Sequence, residues 1–579
     1  MTPEKPTFKP EVSTSTGVFG QYPPLFLGLL LLWALINITQ ASLTEITHDE
    51  AYYWMYSRFM DWGYFDHPPM IALFIKIGIW LMPGEPGVRL LTIIAQIGTL
   101  TILWHLIENR EANRNNILLF FGLAASVVMF EVYGFVATPD SPLLLFSALF
   151  LLAYKRFIAR QDTPALLWLA FSMAAMMYSK YHGILVILFV MASNPRLILL
   201  YRFWLAGIIA IMLFMPHILW QIDHDYPSLR YHLIARSRPA NLRHVLEYLP
   251  NQLVSFNPFF LGLGMYAMFK TKAADLFERA LYFIVFGFLL FFLVTTLRGH
   301  VEPHWTITAA LPMIILLHRR ISSHPEWLKY TRWVLFPTLL ILLLIRVALI
   351  IDFLPIHLKF QGEKAWHTHL ASIAGDTPVI FRNSYQLPSV YTFYTGHPAH
   401  SLNGVYYRHT QYDIWPFEQD LFGKPVLLVT NRNDPLATPY IFPDGKPVYL
   451  HRTEHFFAVQ KLQITYELAS GTRMRAGDTL HLKAELYNPY PYAIPFDVPY
   501  FPVTFHTMFV KSGNDMTVSS AWTTPVVRLL KPGERIPLTI SFEVPDICTR
   551  TYNFGITLQA GINQEAFNSL ITNVKVLEK

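Results

Sequence analysis

The chain has 579 residues, too many for one ordinary domain, and 53% of them are hydrophobic whereas only 15% are charged. Typical soluble domains carry roughly 25% charged residues, and disordered chains are poor in apolar ones. The composition therefore excludes a disordered or fibrous chain and favours a protein that crosses a membrane many times. The single cysteine, Cys548, excludes an intramolecular disulfide framework, and the net charge of +6 is too thinly spread to indicate nucleic-acid binding.

Apolar runs that are long enough, or nearly long enough, to cross about 30 Å of hydrocarbon recur from residue 22 to residue 352. We predict about eleven spans together with interfacial helices, and the short run at 181–193 is the weakest of them. The predicted spans are 22–41, 86–107, 116–136, 141–158, 163–179, 181–193, 201–221, 251–269, 279–297, 303–318 and 333–352.

The stretch 67–82 is apolar too, and the distribution of basic residues decides whether it crosses. If it stays at the outer interface and 1–21 is a cytoplasmic tail, the short loops rich in Lys and Arg all face the cytoplasm. If 67–82 crossed the membrane, all of these loops would face the outside instead. We therefore predict that this stretch dips into the outer interface and that the C-terminal part is exported. The cytoplasmic loops are then 108–115, 159–162, 194–200, 270–278 and 319–332.

From about residue 355 the composition is that of a soluble, loop-rich protein. Residues 355–455 are predicted to form an exported mixed α/β domain, with strands at 378–382, 389–394 and 425–430. Residues 456–579 alternate apolar and polar side chains between turn signals. This pattern predicts an exported all-β domain, with an immunoglobulin-like sandwich as the expected architecture.

The first predicted outer loop is unusually acidic and aromatic. Asp49 and Glu50 follow the first span directly, and Arg58 comes shortly after them. The loop then ends in the motif YFDHPP, which contains Asp66 and His67. An acidic start followed by an aromatic-rich amphipathic stretch is typical of a helix lying at the membrane surface. The simpler alternative is an aromatic belt with solvated carboxylates.

Another carboxylate, Asp140, lies in the motif TPDSP between two spans, where capping of the following helix would also explain it. Ionisable groups at membrane depth usually face a cavity or a pathway. Each further ionisable residue could be an ordinary surface group, but their convergence from five loops on one side favours a site. These further residues include Lys180, His182, His232, Arg236, His300, Glu302 and His304.

Carboxylates at such a site suit general-base activation of an acceptor hydroxyl, and neighbouring basic side chains suit a phosphate leaving group. A site at the membrane surface also suits a substrate with a long isoprenoid tail. The sequence contains neither a P-loop nor a Rossmann fingerprint, so a soluble nucleotide donor is not expected.

The Asp-Glu pair, the YFDHPP motif and the TPDSP motif together resemble the GT-C superfamily of polyprenyl-phosphate-sugar glycosyltransferases. The resemblance covers roughly residues 20–350. It is strongest to the branch shared by the lipid A aminoarabinose transferases and the bacterial relatives of protein O-mannosyltransferases. It implies that 22–354 is a GT-C transmembrane catalytic domain. It also implies that Asp49, Glu50 and Asp140 are the catalytic carboxylates, with Asp49 activating the acceptor.

In the aminoarabinose transferases the pair before two prolines is Glu-Lys, with the acid near a divalent metal and the Lys near the donor phosphate. Here the pair is Asp66 and His67. The resemblance implies a divalent site of Asp66 and His232 for zinc, magnesium or manganese, and no other cofactor. The side chains expected to contact donor phosphate or substrate are Arg58, His67, Lys180, His182, Arg236 and His304.

We therefore expect an integral-membrane hexosyl- or pentosyltransferase at the outer face of a bacterial inner membrane. Its partners would be a polyprenyl-phosphate-linked sugar, the bilayer and an envelope acceptor, which could be lipid A or lipopolysaccharide, a polysaccharide or a protein. No nucleic-acid partner is expected. The main alternative is a transporter or flippase for a lipid-linked sugar, although no internal repeat supports it. A third hypothesis is a scaffold whose exported domains do the work.

Overall fold

The computed structural model describes residues 22–107, 112–232, 241–351, 361–405, 407–430, 434, 436–499, 501–512, 515–561, 563 and 565–578. The chain divides into two compact units. We call them the helical unit (1–44, 73–219 and 232–354) and the mixed unit (45–72, 220–231 and 355–579). Two segments of the predicted transmembrane domain, 45–72 and 220–231, thus fold with the C-terminal part of the chain.

Up to residue 351, the described residues form sixteen α-helices, with short 3-10 turns at Pro195–Leu199, Thr296–Arg298 and Pro303–Ala309. The helices are α1 (Pro24–Leu43), α2 (His48–Arg58), α3 (Met70–Leu81), α4 (Gly84–Leu106), α5 (Arg114–Ser126), α6 (Val128–Val132), α7 (Asp140–Arg160), α8 (Thr163–Ser179), α9 (Gly183–Ser193), α10 (Tyr201–Asp223), α11 (Pro227–Arg230), α12 (Leu242–Phe256), α13 (Pro258–Lys270), α14 (Leu276–Thr295), α15 (Ala310–Ser322) and α16 (Pro325–Ile350).

Six helices of the described chain, α1, α4, α7, α10, α14 and α16, are long and apolar enough to cross a membrane. Helices α3, α8 and α9 are apolar but shorter. The predicted count of about eleven spans is therefore not confirmed. The predicted span 251–269 is divided between α12 and α13, because Asn257 has a φ of +74° and Pro258 starts the next helix. At 1.5 Å per residue, α3 reaches only about 18 Å, too short to cross hydrocarbon.

The helical unit packs around a large aromatic and aliphatic core. The ring of Trp104 in α4 lies 5.2 Å from that of Phe26 in α1 and 5.3 Å from that of Phe120 in α5. The packing also includes one buried ion pair, in which the Arg346 guanidinium lies 2.6 Å from the Glu131 carboxylate and donates to Asn37. Burying a charge is costly unless it is paired, so this pair ties α1, α6 and α16 together.

Helices α3 and α4 approach so closely that their backbones touch. A Cβ atom added to Gly78 would collide with the carbonyl oxygen of Gly87, and one added to Gly87 would collide with that of Met82. Any larger side chain at either glycine would force the two helices apart. The glycine pair thus fixes the tight turn between α3 and α4.

In the mixed unit, the described part of 361–453 forms a five-stranded sheet with four helices. The sheet order is β2-β1-β3-β5-β4; β1 pairs in parallel with β2 and β3, and the other pairs are antiparallel. The helices are α17 (Glu363–Ala374), α18 (Gln386–Thr395), α19 (Gln411–Ile414) and α20 (Phe417–Leu421), and the strands are β1 (Val379–Arg382), β2 (Ala399–Leu402), β3 (Val426–Thr430), β4 (Thr438–Ile441) and β5 (Pro447–Thr453).

The predicted strand at 389–394 is wrong, because these residues belong to helix α18. Its start is fixed by the Ser384 hydroxyl, which accepts a hydrogen bond from the backbone of Leu387. The next residue, Pro388, lies within the first turn, where its missing N–H costs nothing. Capping and packing thus override the β-branched and aromatic composition that favours a strand.

From residue 454 onward, the described residues form ten strands. Eight of them hydrogen-bond as one sheet in the order β6-β8-β13-β11-β10-β14-β15-β7, and β9 pairs with β12. The strands are β6 (Gln463–Tyr466), β7 (Thr472–Arg475), β8 (Thr479–Tyr487), β9 (Ile494–Pro495), β10 (Val503–Ser512), β11 (Asp515–Thr524), β12 (Leu529–Leu530), β13 (Arg535–Glu543), β14 (Arg550–Ala560) and β15 (Thr572–Leu577).

This β domain differs from the predicted immunoglobulin-like sandwich, whose strands would form two separate sheets. Here a continuous ladder joins β13 to β11 and β10. The sheet curls so that Ile464 in β6 bridges to Ser569, just before β15. The Tyr466 hydroxyl donates to the Leu570 carbonyl at 2.8 Å and fastens this closure. The apolar side chains of the curled sheet are buried in a core that also includes Ile380, Leu402 and Leu428 of the preceding five-stranded sheet. Burial of one face of each strand explains the alternating pattern in the sequence.

One buried histidine makes the mixed unit sensitive to acid. His400 in β2 is 3% exposed, and burial, assisted by the nearby Lys461, lowers its pKa from 6.5 to about 3. Because the unfolded chain binds this proton more readily, stability is complete above pH 6.5 and falls by about 1.4 kcal/mol per pH unit below it. We expect His400→Phe to reduce the difference in melting temperature of the intact protein between pH 7.5 and pH 4.5. An unchanged difference would contradict this assignment.

Candidate active site

Helix α2 begins with a capping box that places the first acidic pair. The Thr47 hydroxyl accepts from the backbone of Glu50, and the Glu50 carboxylate accepts from the backbone of Thr47 at 3.0 Å. Each side chain thus satisfies an N–H group that the first helical turn leaves without a partner. Glu50, predicted as catalytic, is fully buried in this cap, whereas its neighbour Asp49 is exposed.

Asp49 is held by two side chains from the C-terminal half of the chain. Its carboxylate accepts from the amide of Gln386 at 3.1 Å and from the hydroxyl of Tyr385 at 3.3 Å. Both donors lie at the start of α18, which packs against α2. Asp49 is therefore fixed in orientation, exposed and able to accept a proton.

Asp66 is also held by side chains from elsewhere in the mixed unit, and it is 7% exposed. One carboxylate oxygen accepts from the Tyr52 hydroxyl at 3.1 Å, and the other lies 2.6 Å from Nη1 of Arg408. The Tyr52 hydroxyl in turn accepts from the backbone of Gln411. The loop 59–69 and the segment 407–411 therefore form one hydrogen-bonded network.

Arg408 is a cation enclosed by aromatic rings. Its guanidinium carbon lies 4.8 Å from the ring centre of Tyr385, 4.9 Å from that of Tyr231 and 6.0 Å from that of Phe65. Burial favours the neutral form, but Asp66 and the surrounding phenol oxygens outweigh it and raise the pKa of Arg408. Arg408 therefore carries a permanent positive charge, and Asp66 engages only one end of its guanidinium.

A separate charged group lies in the helical unit. The ammonium of Lys180 contacts both oxygens of Asp140, at 2.9 and 2.8 Å, and both side chains are almost fully buried. His304 approaches the same carboxylate at 3.8 Å and packs edge-on against Tyr133. Lys180, predicted to contact phosphate, is thus the counter-ion of Asp140, and α7 is joined to the end of α8.

Removing one member of this pair should be costly, because it leaves a buried charge without its partner. We expect Lys180→Met to destabilise the protein by roughly 3–5 kcal/mol, and Asp140→Asn combined with Lys180→Met to recover much of that loss. Thermal unfolding in detergent measures both effects. The exposed Lys272, changed to Met, is the matched control. Equal melting temperatures for the two single lysine variants would contradict the assignment.

The remaining predicted residues have mostly aromatic surroundings. In the mixed unit, Arg58 is exposed and stacks over Trp54 at 5.3 Å, and His67 packs edge-on against Tyr53. In the helical unit, the ring of His182 lies 5.0 Å from those of Phe292 and Trp305, and His232 lies edge-on to Tyr181. His300 lies 3.7 Å from Glu302. Arg236 lies outside the described residues.

For metal binding, Asp66 belongs to the mixed unit and His232 to the helical unit. Among the described residues, three potential ligands come together elsewhere, in the helical unit. His244 and Glu247 in α12 and His300 place one ligand atom each within 4.8 Å of one another. The Glu247 carboxylate also pairs with Arg243 at 2.6 Å. An ion at this position would compete with that arginine for the same carboxylate.

Sequence reasoning missed Tyr385, Gln386 and Arg408. They follow the first motif by more than 300 residues, and they lie in a segment whose composition is that of an ordinary soluble domain. The one available signal was Arg408 next to His409, a basic pair in an aromatic stretch. Without the fold, nothing linked that pair to Asp66.

Comparison with known proteins agrees with the fold described above. Residues 66–220 match the dolichyl-phosphate-mannose-protein mannosyltransferase family. The lipid A galacturonosyltransferase RgtD of Rhizobium johnstonii is 25% identical over 324 residues, which are 52% of this chain. The matched region spans 64% of the length of that relative.

Two crystal structures of ArnT from Cupriavidus metallidurans have similar folds. The apo structure has a TM-score of 0.55 at 15% identity and covers 74% of this chain and 97% of its own. The structure of ArnT bound to undecaprenyl phosphate has a TM-score of 0.54, with the same identity and coverage. At this level of identity, the likeness shows a shared fold.

Proposed function

The chain is a multi-pass membrane protein with the fold of the GT-C glycosyltransferases, as the sequence resemblance predicts, and we propose that it transfers a sugar. The donor is a hexose or pentose on a polyprenyl-phosphate carrier, and the acceptor is an envelope lipid, polysaccharide or protein. The observation that carries this proposal is Asp49, an exposed carboxylate held at a helix N-terminus by Tyr385 and Gln386. One relative is named for lipid A and the other is bound to undecaprenyl phosphate, which supports an envelope acceptor and a polyprenyl-phosphate donor.

In the proposed reaction, Asp49 accepts the proton of the acceptor hydroxyl. The acceptor oxygen then attacks the anomeric carbon from the face opposite the phosphate. The bond between the anomeric carbon and the phosphate oxygen breaks, and its electron pair leaves with the polyprenyl phosphate. The sugar is therefore transferred with inversion. General-base assistance of this kind contributes about 10²- to 10⁴-fold to the rate.

Arg408 is the group that we assign to the leaving phosphate. Among the described contacts, Asp66 engages Nη1 of its guanidinium, so the N–H groups on Nε and Nη2 remain for phosphate oxygens. Arginine suits this role because its planar fork binds phosphate through two parallel hydrogen bonds. In the related transferases a lysine follows the acid of the first loop, where this chain has His67. Arg408 supplies the permanent cation that His67 does not.

The contacts of Asp66 argue against a metal ion at this position. Both oxygens of Asp66 already have partners, and one of those partners is a cation. A divalent ion at Asp66 would have to displace Arg408 against electrostatic repulsion. The residues present therefore do not fit the predicted site of Asp66 and His232.

We place the reaction at the outer face of a bacterial inner membrane, because the loops rich in Lys and Arg are then cytoplasmic. The test is mass spectrometry of envelope lipids and glycans from cells with and without the protein. We expect one species to lose the mass of a single monosaccharide in the deletion strain, and the complemented strain to regain it. An unchanged envelope, together with transport of a lipid-linked sugar by the reconstituted protein, would favour the flippase alternative.

A further inference from the structure

The mixed unit contains a pocket that the proposed reaction does not use. It has a volume of about 350 Å³ and lies where β2 and α19 meet the start of the β domain. This volume is within the usual range for sites that bind small molecules. Most of its lining residues carry hydrogen-bonding groups, in particular Asn403, Asp413, Gln460, Lys461 and Gln463, although apolar atoms make up the larger part of the surface.

Several of these groups retain hydrogen-bonding capacity. His400 is 3% exposed and its Nδ1 has no partner among the described residues, and the same is true of the buried Nε2 of Gln460. The described bonds to Asp413, from Asn403 and from the backbone and hydroxyl of Thr410, all reach Oδ2, as does the contact with His409, and they leave Oδ1 for a ligand. A buried polar group without a partner loses its hydrogen bonds to water and gains none in return. A ligand carrying several hydroxyl groups would recover part of that loss.

The charges in the pocket favour a neutral ligand. Lys461 lies 3.2 Å from the carboxylate of Glu418, so these two groups neutralise one another. His400 is uncharged at neutral pH, because burial lowers its pKa to about 3. Asp413 is then the remaining charge, and a carboxylate accepts from hydroxyl groups but repels anions. The pocket should therefore bind a polyol better than a uronate or a phosphate.

The pocket also has an aromatic side. The ring of Phe567 lies 4.4 Å from that of His409, and Tyr412 adds a further ring to the lining. A pyranose has an apolar face of C–H groups and an edge of hydroxyl groups. Aromatic rings pack well against the C–H face, and carboxylate and amide groups form hydrogen bonds with the hydroxyl edge.

We propose that this pocket binds one neutral pyranose unit of the acceptor glycan. Assigning the sugar to the acceptor rests on the proposed function, whereas sugar binding itself does not. The pocket belongs to the same compact unit as Asp49, and a second point of attachment would raise the effective concentration of the acceptor.

The test is binding of free methyl glycosides to the purified full-length protein, measured by saturation-transfer NMR without any donor. The probes are the methyl glycosides of glucose, N-acetylglucosamine and galacturonic acid. We expect the neutral glycosides to bind better than the uronate, and Phe567→Ala and Gln463→Ala to weaken binding by roughly tenfold, which equals about 1.4 kcal/mol. Trp522→Ala, which removes an exposed aromatic ring of β11, is the matched control and should bind like the wild type.

The same measurement on Asp49→Asn separates this proposal from the proposed function, because a pocket distinct from Asp49 should bind sugar normally in that variant. If the wild type transfers no sugar but its binding still depends on Phe567 and Gln463, the pocket proposal stands and the proposed function fails. The pocket proposal is overturned if no neutral glycoside binds in the millimolar range. It is also overturned if folded Phe567→Ala and Gln463→Ala proteins, verified by circular dichroism, bind as well as the wild type.

Discussion

Asp49→Asn should lower the rate of sugar transfer by about 10²- to 10⁴-fold, the usual contribution of a general base, and leave the fold intact. An amide has nearly the same shape as the carboxylate and keeps an oxygen that accepts from Tyr385 and Gln386. It does not take up the proton of the acceptor hydroxyl. Transfer of labelled sugar in proteoliposomes measures the rate, and thermal unfolding checks the fold.

The matched control for this variant is Asp225→Asn. Asp225 lies in the segment after α10, its side chain is 87% exposed, and its φ of +61° is one that asparagine also tolerates. This control should transfer sugar at the rate of the wild type. An Asp49→Asn protein with normal activity would exclude Asp49 as the base and remove the main support for the proposed reaction.

Arg408→Gln is the second change with a large expected effect. It removes the cation assigned to the leaving phosphate, and it leaves Asp66 buried without its counter-ion. We expect transfer to fall by about 10²-fold or more, the loss typical when one group that stabilises transition-state charge is removed. Stability should fall by roughly 3–5 kcal/mol in the same variant. The rate and the melting temperature are measured on one preparation.

The double variant Arg408→Gln with Asp66→Asn separates these two effects. Neutralising both partners should restore much of the stability, because no buried charge is left unpaired. It should not restore transfer, because the phosphate still lacks its cation. Arg408→Lys should keep part of the activity, since a point charge replaces the two-pronged guanidinium. A double variant with wild-type transfer would show that Arg408 serves only as the counter-ion of Asp66.

Local features of this chain could be predicted from its sequence. The pattern Thr47-x-x-Glu50 is a capping box in sequence as well as in structure. The strand predicted at 378–382 matches β1, because a short apolar run between turn signals is typical of a buried strand. The motifs around Asp49, Asp66 and Asp140 were sufficient to recognise the GT-C resemblance, since each is a short run of adjacent residues that is visible in the sequence itself.

Pairings between distant residues could not be predicted. Asp140 and Lys180 are 40 residues apart, and Arg408 follows Asp66 by 342 residues. A single sequence carries periodicity and local capping signals, but it does not show which loops lie close together in the folded protein. For this reason the ion pair between Lys180 and Asp140 was not predicted. The same limit explains why the α/β segment was predicted as a domain separate from the loop that carries Asp49 and Asp66.

The bond between Arg408 and Asp66 has a consequence for biosynthesis. Asp49 and Asp66 emerge early from the ribosome, but Tyr385, Gln386 and Arg408 are made several hundred residues later. A nascent or truncated polypeptide that stops before residue 385 would have the acid without the groups that orient it and without the cation. Under the proposed reaction such a chain would be inert, because Asp49 and Asp66 gain these partners only when the residues from 385 onward have been made and folded.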